Sequence, residues 1–218
     1  MPTAKTIKPQ FKQLRQSYGF DEVAIVPGDV TINPEQIDIR LTIGKVKLKI
    51  PILSSAMDAV TDVNFAILLS KLGGLAVLHL EGVQTRYDNP ADVLNELANT
   101  PNDKVTALMQ KIYTAPIKDN LVAERVRAIK KGGGICATAA LPANTKHLAP
   151  IVQEAGGDVM VVQATTITAR HISKSYHGLI FAELTKTIKI PVIVGSCASY
   201  SATLELMENG VSGILVGV

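Results

Sequence analysis

Short apolar runs that end in small or polar residues, each followed by a helix-length stretch of mixed character, recur along most of the chain. Those at 52–55, 75–80, 134–141, 158–164, 191–197 and 212–218 predict six strands. The stretches 62–72, 90–98, 120–131, 144–155, 180–188 and 200–208 predict six helices. Gly73-Gly74, Gly132 to Gly134, Gly156-Gly157 and Gly210 stand where helix C-terminal glycines belong. Apolar strands alternating with helices imply a parallel sheet covered on its outer face. Before residue 51 the pattern differs. In KVKLKI (45–50) lysines and apolar residues alternate, so with 37–41 and a turn at Gly44 it predicts a capping hairpin with one wet face.

Residues 1–19 are polar and basic and predict an arm on the surface or on a neighbouring subunit; 20–26 is a short apolar run closed by Pro27-Gly28. The region 81–131 is too long for one strand-to-helix connection, and 101–118 reads as an insertion between two helical stretches. A doubly wound sheet and a (β/α)8 barrel both fit the alternation. No GxGxxG turn follows the first strand, which favours the α/β barrel of the TIM type. The expected layout is an arm and capping hairpin over 1–50, then a barrel over 51–218. Such barrels typically need ~250 residues, and the chain closes on the strand-like GILVGV, so a truncated barrel of about six strands is expected.

The 218 residues are 47% hydrophobic and 19% charged, enough for one globular domain with a substantial core. A net charge of +3 is weak and scattered, and there is no Trp, which argues against nucleic acid as a partner. Cys136 and Cys197 lie in apolar runs without metal or CxxC spacing, which points to a reducing compartment and no metal site. Without a signal-peptide core or an apolar run of ~18 residues, the expectation is a cytoplasmic protein away from membranes.

Candidate chemistry gathers at the strand ends. PILSSAMD (51–58) offers Ser54, Ser55 and Asp58 before a helix N-terminus, where they hold a phosphate or ribose or merely cap a turn. His79 ends the second strand, as a ligand contact or a packing residue; Glu81 and Arg86, with Tyr87, follow as a candidate ion pair. Gln163, Ala164, Thr165 and Thr166 close the fourth strand. The loop after it carries Arg170, His171, Lys174, Tyr176 and His177, suited to a phosphorylated cofactor or simply solvated. Gly195 to Ser199 are small and admit a planar ligand. Cys197 is a nucleophile only if a neighbour lowers its pKa, and otherwise a buried small hydrophobe; Cys136 reads as core.

FDEVAIVPGDV, IPILSSAMDAVTD, LGGLAVLHLEG and IPVIVGSCASYSATLELMENGVSGILVGV, in that order, resemble the IMP dehydrogenase/GMP reductase superfamily. EGVQTRYDNP and VGSCASY are similar to its short, IMP dehydrogenase-related branch, which lacks the regulatory CBS pair; the insertion at 101–118 stands where larger relatives carry that pair. The resemblance runs from Tyr18 onward. It implies a (β/α)8 barrel, usually a homotetramer, that binds a purine nucleotide (GMP or IMP) and a nicotinamide cofactor (NADPH or NAD) at its rim. By position it implies that Ser55 and Met57 contact the nucleotide and Ser196 faces the reacting ring. It places Gln163, Ala164, Thr165, Gly217 and Val218 by the cofactor.

Dehydrogenases of the family usually have Asp where Gln163 stands and Asn where Ser196 stands, departures that favour NADPH-dependent GMP reduction over IMP oxidation. The family's nucleophilic cysteine is expected just beyond Val218, in a loop that also binds a monovalent cation. No catalytic residue is therefore assigned within the chain, and the 218 residues alone are expected not to turn over. A non-catalytic nucleotide-binding fragment and a flavin-dependent barrel, whose phosphate strands IPVIVGSCAS and GVSGILVGV also resemble, stand as alternatives.

Overall fold

Residues 16, 18–172 and 178–217 are described in the computed structural model. They fall into two compact units, 1–38 and 39–218. The first contains two single-turn 3-10 helices, Phe20–Glu22 and Pro34–Gln36, in extended, exposed chain. The apolar run at 20–26 thus starts as a turn and continues extended. Most of the predicted arm lies outside the described residues.

The second unit opens with the hairpin, β1 (Leu41–Ile43) antiparallel to β2 (Val46–Leu48). The first strand begins only at Leu41, where the expected 37–41 strand ends, because Ile37 and Ile39 stay exposed; the second is shorter than 45–50, and Ile43 and Leu48 are the buried side chains. The remaining elements, in order, are α1 (Val63–Leu72), β3 (Val77–His79), α2 (Pro90–Ala98), α3 (Asn102–Tyr113), α4 (Asp119–Lys131), β4 (Ala137–Ala140) and α5 (Pro142–Glu154). Then come β5 (Val159–Gln163), α6 (Phe181–Thr187), β6 (Val192–Cys197), α7 (Tyr200–Glu208) and β7 (Gly213–Val216). Strands β3 to β7 form one parallel sheet in sequence order.

The predicted first strand, 52–55, is reduced to one parallel bridge, Leu53 with Leu75. Leu75 N donates to the Ile52 carbonyl and Ser54 N to the Leu75 carbonyl, both at 3.0 Å. Counting it, six parallel segments follow one another as the first six of a (β/α)8 barrel do. The stretch 101–118, expected as an insertion between helices, is itself mostly helix, α3. Val105, Leu108, Met109 and Ile112 carry its helical period, but only Ile112 is buried, so the pattern is faint among polar neighbours.

Strand side chains sort into two cores with a period of two. Val77, Ala137, Ala139, Val159, Val161 and Ile193 point into the barrel, where Ile43 and Leu48 of the hairpin join them. Leu78, Ala140, Met160, Val162, Val192 and Val194 point outward against Ala66, Val122, Val126, Leu148 and Leu206 of the helices. Among the described residues no helix is long and apolar enough to cross a membrane.

The hairpin therefore acts as a plug. Replacing Leu48 by Ala is expected to cost about 2–5 kcal/mol of stability, while Lys47→Ala stays within about 0.5 kcal/mol, as read by denaturant unfolding. Equal effects would mean that the hairpin is not seated in the barrel interior.

Candidate functional site

Strands buried on both faces can present polar side chains only where they end. Along β5, Val161 faces the interior, and Gln163, two residues on, shares that face but emerges exposed. On β6 the pairing with β7 slips: Gly195 opposes Leu215 and Cys197 opposes Val216, leaving Ser196 as an extra residue. A bulge of this kind re-aims a side chain at a strand end. Its backbone is held on both sides, Ser196 N donating to the Ala164 carbonyl (3.0 Å) and Ile167 N to the Ser196 carbonyl (2.8 Å). Gly195 permits the close approach, since a Cβ there would stand 2.3 Å from the Leu215 Cβ.

Gln163, Thr165, Ser196 and His79 line a cleft of ≈ 420 Å³ together with Leu141 and the small residues Ala56, Ala139, Ala140 and Ala164. A second cleft of ≈ 180 Å³ takes in Ser54, Ser55, Ala56, Gln163 and Leu215. The two share Ala56 and Gln163. His79 is the one ionisable group lining either cleft, and its ring makes no hydrogen bond among the described residues. The larger cleft is thus a carboxylate-free, largely small-walled slot edged by an amide, two hydroxyls and an imidazole, suited to a planar ring with donors and acceptors on its rim.

The loop after the first strand separates anchors from free groups. Val77 N donates to Ser54 Oγ (3.1 Å), and Thr61 Oγ1 donates to the Ser55 carbonyl (3.0 Å). Thr61 has a single hydroxyl proton, so Ser54 supplies the proton of their 2.7 Å contact. Asp58 accepts from Val83 N (3.0 Å) and from the Tyr113 hydroxyl (2.6 Å). Ser54 and Asp58, left open between ligand contact and turn capping, are committed to the fold. Ser55 and Met57 are exposed, as are Ala59 and Val60 after them; Ser55 lies in the smaller cleft and Met57 outside both.

Other candidates are dispersed. Arg86 Nε donates to the Glu81 carbonyl (2.9 Å), while the buried Glu81 carboxylate accepts from Leu141 N (2.6 Å) just before α5; the pair serves the backbone. Arg170 bonds Glu205 of α7; Lys174, Tyr176 and His177 lie outside the described residues, as does Val218. Gly217 N donates to the Cys197 carbonyl at 3.1 Å. Cys197 is 1% exposed and its thiol faces the Ile167 carbonyl, burial pushing its pKa up. Burial, with the Asp158 carboxylate behind it, pushes the Cys136 thiol up to about 12. Neither is an activated nucleophile. Of the lining alanines, Ala164 was expected by the cofactor, whereas Ala56, Ala139 and Ala140 were not anticipated; the small residues ending β4 in ICATAA were the signal for the last two.

Residues 17–218 match the family described as IMP dehydrogenase / GMP reductase domain. An uncharacterized oxidoreductase of Mycobacterium tuberculosis is 30% identical over 208 residues, covering 93% of this chain and 56% of that protein. An inosine-5'-monophosphate dehydrogenase of Cryptosporidium parvum is 27% identical over 215 residues, covering 95% and 52%. The crystal structure of an IMP dehydrogenase/GMP reductase-like protein from Corynebacterium glutamicum superposes with a TM-score of 0.86 at 28% identity, over 94% of this chain and 55% of that one. The chain spans about half the length of the curated relatives it matches.

The anchor assignments predict opposite outcomes for adjacent serines. Ser54→Ala leaves the Val77 amide without its acceptor and is expected to cost about 1–3 kcal/mol, whereas Ser55→Ala changes stability by less than about 0.5 kcal/mol. In a thiol-alkylation assay at neutral pH, both cysteines are expected to stay unmodified until the protein is unfolded; rapid labelling of Cys197 in the native state would contradict its assignment as core.

Proposed function

The chain belongs to the IMP dehydrogenase/GMP reductase family, and from that premise we propose that its strand-end clefts bind a purine nucleotide beside a nicotinamide cofactor, as part of a protein that interconverts GMP and IMP. The observation that carries the reading is the chemistry of the larger cleft: amide, hydroxyl and imidazole donors and acceptors beside small alanines, with no carboxylate in the lining. Such a donor set fits the rim of a purine base and the carboxamide of a nicotinamide. It would hold both by hydrogen bonds, and the small alanines would let a ring lie flat.

Ser55, with Met57 beside it, contacts the nucleotide; Ser196, re-aimed by the bulge, faces the reacting ring; Gln163, Ala164, Thr165 and Gly217 border the cofactor. A nicotinamide, when bound, supplies or accepts the hydride. The amide of Gln163 orients its neighbour without repelling a 2′-phosphate, as a carboxylate there would. That supports NADPH as the cofactor and GMP reduction as the direction. His79 adds an imidazole edge to the same slot, free to donate to or accept from a bound ring. Both cysteines are buried, so the contribution of these residues is binding and orientation.

Two experiments test this. Isothermal titration with GMP, IMP, NADPH and NAD should show binding of a purine nucleotide, weakened about fivefold in His79→Ala by loss of one hydrogen bond. The whole protein, followed by nicotinamide absorbance, should oxidise NADPH when GMP is added. Reduction of NAD with IMP, water adding to the purine to give XMP, would assign IMP dehydrogenase chemistry instead. No response to either nucleotide, in binding or in absorbance, would overturn the proposal.

A further inference from the structure

Two stretches that ligand contact leaves unexplained, the turn after β3 and the helix α3, meet at one carboxylate in the nucleotide loop. The C-terminal end of α3 is tied to that turn several times over. The Tyr87 hydroxyl donates to the Ile112 carbonyl (3.0 Å), and Lys118 N donates to the Thr85 carbonyl (2.9 Å). The Arg86 guanidinium donates to the Ala115 carbonyl and lies 5.9 Å over the ring of Tyr113. From this fixed base Tyr113 reaches 2.6 Å to Asp58 Oδ2, which also accepts from Val83 N at 3.0 Å.

The contact is closely built. Asp58 Oδ1 is buried without a partner, and it sits where a side chain on residue 82 would be, 1.9 Å from the Cβ that Gly82 lacks. Burial, and then the Asp58 carboxylate, raise the Tyr113 pKa, so the phenol remains a donor through the neutral range. Asp58 directly follows Met57. The loop it ends is closed by Val60 N and Thr61 N donating to the Met57 carbonyl at 3.0 and 2.9 Å. Ser55 and Met57 have exposed side chains and are held only through this backbone.

We propose that Tyr113 is a positioning residue: acting through Asp58, it makes α3 set the conformation of the loop that carries Ser55 and Met57, and so the fit of the nucleotide. The loop half of this inference stands by itself, and the ligand half rests on the purine-nucleotide reading above. Tyr113 is 37% exposed, so Tyr113→Phe removes the hydroxyl without opening a core cavity.

Amide hydrogen exchange on the unliganded protein tests the loop half. Tyr113→Phe should speed exchange at Val60, Thr61 and Val83 about tenfold, with β5 amides and the melting temperature unchanged. Asp58→Ala should do at least as much, and the double variant no more than Asp58→Ala alone. Titration with GMP and IMP tests the ligand half, with binding to Tyr113→Phe expected to be about threefold or more weaker at unchanged stability. Wild-type exchange in Tyr113→Phe overturns the coupling whatever the binding result. Faster exchange with unaltered nucleotide affinity overturns the positioning role. Faster exchange in a protein that binds neither nucleotide upholds the coupling and overturns the purine-nucleotide reading instead.

Discussion

The alternation of side chains along strands buried on both faces is the constraint on which the rest of this structure depends. Each of β4, β5 and β6 sends one residue into the barrel and the next against a helix, so one-residue slips would exchange the two cores. Both faces are mostly apolar, and the one polar side chain inside β4, Thr138, is fully buried with its hydroxyl on the Met160 sulfur, so polar groups reach a ligand only at the carboxyl ends. There, Gln163, Thr165, Ser196 and His79 converge. The site is a consequence of the packing.

Convergence alone does not aim the groups. Ser196 is turned into the cleft because β6 carries one more residue than β7 at that point, and Gly195 lets Leu215 come close enough for the slip. On the opposite side, Ser54 and Asp58 give up their polar atoms to the fold, which leaves Ser55 and Met57 outward on a fixed loop. Division of labour between adjacent residues is how a short segment is both rigid and available to a ligand.

The strand and helix alternation, the hairpin and the barrel class were legible because the apolar periods are strong: KVKLKI reads as one wet and one dry face without further information. The helix α3 was not, because only Ile112 of its apolar positions is buried and the stripe was diluted by polar neighbours. The family resemblance named Gln163, Thr165 and Ser196, which the structure gathers at one cleft. Spacing could not separate Ser54 from Ser55, since the difference lies in a bond to Val77, 23 residues away. Nor could it join Tyr113 to Asp58 across 55 residues. His79 stayed ambiguous for a related reason: whether a strand-end histidine packs or faces a ligand depends on its neighbours in space.

On the proposed function, the strand-end clefts, and no other surface, receive the nucleotide. Backbone and histidine side-chain resonances followed by NMR during addition of IMP or GMP test it directly. Shifts are expected only at Ser55, Met57, His79, Gln163, Thr165, Ser196 and their chain neighbours. Shifts centred instead on the outer cavity of ≈ 440 Å³ between α5 and α6, or none at saturating nucleotide, would contradict it.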